Sequence, residues 1–174
     1  MKPPPLPLEV LARVTRVARF DGTSILAVSG SVALLSAAYR DVTGATVGLM
    51  VAAAGAIELH GVGLLRTNNI AGVRWLVSAQ VWLMGVILAY VAYRIARPDI
   101  EGFLQFVSAG PVADSFEQAA AEAGETVRQY ILDAFRAFYF AVALLTVVYQ
   151  GGMAIYYIRR RGAIQVAFDE EEAG

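Results

Sequence analysis

The sequence contains no cysteine and a single histidine, His60. The first absence removes disulfides, thiolate metal sites, iron–sulfur clusters and cysteine nucleophiles. The second excludes a haem held by two imidazoles of one chain, and any zinc site would have to be completed by carboxylates or by a second subunit. Neither a metal site nor a cofactor is expected. Charge is also scarce, at 17% of residues against 57% hydrophobic, and the net charge is -1. The basic residues are spread over several termini and loops instead of one face, which argues against nucleic acid as a partner. A nucleophile motif is missing too: Ser29 precedes Gly30 but follows Ala27 and Val28, so G-x-S-G is absent and no enzyme is expected.

What the chain has instead is length without charge. Ala137 to Ile158 carries no charged residue, and three comparable runs lie upstream. Crossing a hydrocarbon core of roughly 30 Å takes about 20 mainly apolar residues. The runs predict spans over 22–39, 44–65, 73–93 and 137–158, with the lipid bilayer as solvent. Tyr39, Trp75, Tyr90, Tyr93, Phe138, Tyr139, Tyr156 and Tyr157 fall near their ends, where amphipathic rings favour the headgroup zone. Ser36, Ala37 and Ala38 resemble a signal-peptide cleavage site, but the polar leader before the first run is long for a signal. The expected fold is therefore all-α: one domain over 1–174, an integral membrane four-helix bundle. An N-terminal amphipathic helix at the interface and a helical loop over 94–136 complete it.

Four crossings put both termini on one side. That side receives nine of the fourteen Lys and Arg residues, among them Lys2, Arg13, Arg16, Arg19, Arg66, Arg74 and Arg159 to Arg161. Under the positive-inside rule it is the cytoplasmic side of an inner membrane. Pro3, Pro4, Pro5 and Pro7 predict an extended lead-in. In the helix that follows, Val10, Leu11, Val14, Val17 and Ala18 share one face and Arg13, Arg16 and Arg19 the other, a pattern suited to an anionic membrane surface.

The 94–136 loop carries two helical patterns. Ile100, Phe103, Leu104 and Val107 follow the possible cap Asp99 and end at Gly110 and Pro111. The second runs from Phe116 into the fourth span, predicting a continuous helix over 112–158 about 70 Å long that either projects from the membrane or bends, with Gly124 as the place for a bend. The stretch after Arg161, which ends in Asp169 to Glu172, reads as a solvated tail.

Polar residues inside the spans each cost a few kcal/mol unless partnered or wet. At 1.5 Å rise, Glu58, His60, Gln80, Gln150 and Ser29 fall about 2 to 8 Å to the cytoplasmic side of their span midpoints, in nearly one layer. One reading is an interhelical hydrogen-bond cluster with a protonated Glu58 joined to Gln80 or Gln150. The other is a hydrated site for an ion or proton. Glu58 and His60 are two residues apart, hence about 200° apart around a helix, and do not act on one group. Gly44, Gly48, Ala52 and Ala56, spaced by four, predict a ridge for close helix contact, with Gly44 and Gly48 forming GxxxG. The function expected from these features is a small multipass scaffold or accessory subunit that associates with itself or with a larger membrane complex. The alternative is a homo-oligomeric ion channel or small transporter with its polar site around Glu58.

Overall fold

A computed structural model describes residues 6–98, 100, 101, 113–124 and 126–173. Pro3 to Pro5, Asp99, Phe103, Leu104, Val107, Gly110 and Pro111 lie outside the described residues. Those described form five helices and no strand: α1 Pro7–Ala38, α2 Val42–Arg66, α3 Ala71–Ala96, α4 Ala113–Glu122 and α5 Val127–Ala173. All but α4 are long and apolar enough to cross a membrane.

The helices stop where the backbone turns left-handed. Arg40 (φ 60°) and Asn68 (φ 54°) each end a helix, and the next residue reaches back five positions. Asp41 N–H donates to the Ser36 carbonyl at 2.8 Å and Asn69 N–H to that of Leu64 at 3.0 Å, the pattern of a Schellman stop. The same two residues then start the next helix. Asp41 Oδ1 accepts the Gly44 N–H and Asn69 Oδ1 the Ala71 N–H, both at 2.9 Å. With stop and start this close, α1–α2 and α2–α3 are helical hairpins with antiparallel neighbours.

In the first of two compact units, 1–87 with 146–174, glycines set the helix contacts. A Cβ on Gly55 would stand 2.6 Å from the Gly22 carbonyl oxygen and 2.8 Å from Leu26 N, so α1 and α2 meet backbone to backbone there. Gly61 and Gly72 do the same for α2 and α3. The expected ridge holds in its middle only. Gly48 and Ala52 are buried, with Gly48 against Ala33, whereas Gly44 sits in the capping turn beside Asp41 and Ala56 is exposed. At about 100° per residue, three steps of four drift about 120° around the helix, while Gly48 to Gly55 drifts only about 20°. The contact face therefore passes from Ala52 to Gly55 and leaves Ala56 outside.

The apolar core of this unit joins Val10, Val14 and Ala18 of α1, Val62 and Leu65 of α2, Val73 and Leu76 of α3, and Tyr157, Ile164 and Phe168 of α5. Two expectations change with it. The amphipathic segment is the start of α1, not a separate element, and its apolar residues Val10, Val14 and Ala18 are covered by protein rather than left for a membrane surface. The stretch after Arg161 is helix, not a solvated tail, with Ile164, Ala167 and Phe168 buried. An i, i+3, i+4 stripe in α5 makes that packing possible.

The second unit, 88–145, holds the break before α5. Gly124 takes φ 71°, so α4 and α5 are separate helices where the sequence pattern predicts one continuous helix, projecting or bent near that residue. The Arg94 guanidinium lies over the rings of Phe135 (5.5 Å) and Tyr139 (5.9 Å). Arg128 pairs with Glu101 at 2.9 Å on an exposed surface, where such a pair contributes little.

Candidate functional site

One turn along from the apolar core, the same helix faces carry polar groups. Asp21 follows Val14 and Ala18 by seven and three residues, and Glu58 precedes Val62 and Leu65 by four and seven. Gln80 follows Val73 and Leu76 by seven and four, while Tyr157 precedes Ile164 by seven. These spacings keep each side chain on the buried face of its helix.

Glu58 is fully buried and Gln80 almost so, at 0% and 1% exposure. Glu58 Oε1 accepts the Tyr157 hydroxyl at 2.7 Å and Gln80 Nε2 at 3.1 Å. Gln80 Nε2 also donates to Asp21 Oδ2 at 3.3 Å, so one amide nitrogen bridges two carboxyl groups. The Tyr149 hydroxyl approaches Asp21 Oδ1 at 3.5 Å, the outer limit of a hydrogen bond. The chain Tyr149, Asp21, Gln80, Glu58, Tyr157 thus draws on α1, α2, α3 and α5.

Two features separate this cluster from an ordinary packing contact. Glu58 Oε2 and Gln80 Oε1 are buried without a hydrogen-bond partner. Among the described residues, neither Asp21 nor Glu58 is paired with Lys, Arg or His. Glu58 is buried and Asp21 half-buried. Buried acceptors left open and a buried acid left uncompensated are both costly, and a bound cation or proton relieves both. The oxygen-only donor set suits a hard cation. Among the described residues no group of three or more His, Asp or Glu side chains that could hold a metal ion occurs, so a cation here would be held by two carboxyl groups with amide and hydroxyl oxygens.

The polar layer read from the sequence is brought together only in part. Glu58 and Gln80 are joined. Gln150 is buried on α5 with its Oε1 unpartnered, but it is not bonded to the cluster. Ser29 is half-buried, about 12 Å along the helix axis from Asp21. His60 is exposed, and its ring meets Trp75 edge-on at 4.9 Å. Sequence reasoning missed Asp21, Tyr149 and Tyr157. Of the basic residues, Arg16 and Arg19 border one groove with Arg66, while Arg13 lines a separate crevice with Tyr156 and Arg160.

No known protein family matches the sequence, and neither a curated protein nor a solved structure is detectably similar to it.

Proposed function

We propose that the protein is a multipass protein of the cytoplasmic membrane, with both termini in the cytoplasm, that takes up a monovalent cation, H⁺ or Na⁺, at the Asp21–Glu58 site. In this reading α1, α2, α3 and α5 are the four transmembrane helices and form a bundle around the cluster, which makes the protein a small ion channel or ion-coupled transporter. The observation that carries it is the Gln80 bridge between two carboxyl groups with Glu58 Oε2 and Gln80 Oε1 left open beside it. An ionisable pair at membrane depth is expensive, and uptake of a cation is a function that requires the cost.

The test is flux. Purified protein in proteoliposomes, given a sodium gradient and then a pH gradient, is expected to admit one of the two ions. Glu58→Gln, which keeps the shape and the Tyr157 acceptor, should abolish that uptake while the protein stays folded. No flux through folded wild-type protein, or equal flux through Glu58→Gln, would overturn the proposal.

A second reading has its own support. Only 6% of the most apolar stretch of α1 and 11% of that of α5 is buried within one copy. Those faces await lipid or another helix, which fits a scaffold or accessory subunit that binds itself or a larger complex. Native mass spectrometry of gently extracted protein separates the readings. A homo-oligomer favours the ion path, and one copy on a larger, different chain favours the accessory role.

A further inference from the structure

A groove of about 510 Å³ opens between α1 and the end of α2, lined by Thr15, Arg16, Arg19, Phe20, Thr23 and Arg66. Three guanidinium groups border it. Among the described residues, none of the three is paired with an acid, whereas Arg128 and Arg136 are, and Arg94 and Arg160 lie over aromatic rings. Three like charges around one cavity repel each other until an anion enters, and guanidinium forks match phosphate oxygens in pairs. Thr23 Oγ1 is engaged with the Arg19 and Phe20 carbonyls at 2.7 and 3.0 Å, so donors to a ligand come from the arginines and Thr15.

The groove also has a direction. It sits where the arginine-bearing start of α1 gives way to the charge-free stretch after Asp21. Phe20 is 76% exposed at its edge, and Leu26 continues the exposed apolar surface along α1. Gly30 on α1 and Gly63 on α2 face open space. A phosphate beside the arginines and an acyl chain along that surface satisfy both halves at once.

We infer that Arg16, Arg19 and Arg66 form a binding site for the phosphate headgroup of an anionic phospholipid, with Phe20 and Leu26 against its first acyl chain. The site rests on the bilayer reading of the long helices but not on the carboxylate cluster.

The experiment is native mass spectrometry of the full chain in detergent with phosphatidylglycerol, phosphatidylcholine or inorganic phosphate added. Wild-type protein is expected to retain phosphatidylglycerol in preference to phosphatidylcholine. Each arginine near a membrane surface contributes about fivefold in affinity, so Arg16→Gln/Arg66→Gln should weaken phosphatidylglycerol binding about thirtyfold. Arg74→Gln, which removes a charge from a separate groove, should leave it unchanged. Equal retention of the two lipids, an equal loss in Arg74→Gln, or displacement of the lipid by equimolar inorganic phosphate would each overturn the site. Both arginines are exposed, and a thermal melt checks that the double variant is folded. Extraction of the protein from membranes by alkaline carbonate would separately defeat the bilayer reading, and ion flux is scored independently of either result.

Discussion

The two halves of the helix seam use the same faces for opposite ends. From Val10 and Phe168 to Tyr157, every buried group finds an apolar neighbour, and nothing is left over. One turn further, Asp21, Glu58 and Gln80 occupy equivalent positions and leave two oxygens open. A chain selected only to hold four helices together could have continued the apolar stripe, since replacing a buried polar network by well-packed apolar residues is often neutral or stabilising. The apolar half therefore accounts for stability, and the polar half calls for a separate cause, which the proposed ion uptake would supply.

The substitution expected to break both halves together is Gly55→Leu, at the crossing between them. Its Cβ would meet backbone atoms of Gly22 and Leu26, which cannot rotate away as a side chain can. Overpacking typically costs about 1–3 kcal/mol, and this site belongs at or above the upper end. Size-exclusion profiles in detergent should show loss of the monodisperse peak. Gly63→Leu, into open space, should leave the profile intact. If both variants behave alike, the crossing does not organise the unit.

Phe168→Ala strikes the apolar half alone. Phe168 is 3% exposed against the start of α1, and removing a buried ring costs about 3–5 kcal/mol. A lower midpoint in thermal unfolding is expected, with ion selectivity unchanged in the protein that remains folded. A solvated tail would give no shift at all.

Much of the contrast between the halves is legible in the order of the amino acids. The long helices are legible because about 20 consecutive, mainly apolar residues match the thickness of a bilayer and little else. Glu58 and Gln80 are legible for the converse reason, as polar groups within apolar runs. Asp21 is not, because it directly precedes the first run and follows three arginines, so it passes for a boundary residue. Tyr157 sits beside three arginines at a run's end and passes for an interfacial ring. Its true address lies in the heptad spacing to Ile164, a signal that the acidic residues after it obscure. His60 misleads in the other way: its depth along the helix matches the polar layer, but the angle around the helix decides what a side chain can touch.

The finest test concerns one hydroxyl. Tyr157→Phe keeps a fully buried ring in place and removes only the 2.7 Å donor to Glu58 Oε1. Gln80 still serves that oxygen, so the cost in stability should be about 1 kcal/mol, a shift of a few degrees in the melt. If the cluster is a packing device, the effect ends there. If it takes up a cation, the hydroxyl has a second role, because a donor bonds more strongly to a charged carboxylate than to one whose charge a cation has drawn off. It then favours the empty site over the loaded one by about 1 kcal/mol, and its loss should tighten half-saturation of uptake about fivefold. A lowered melt with unaltered or weaker uptake would return Tyr157, and with it the polar half, to the same structural account as its apolar neighbour.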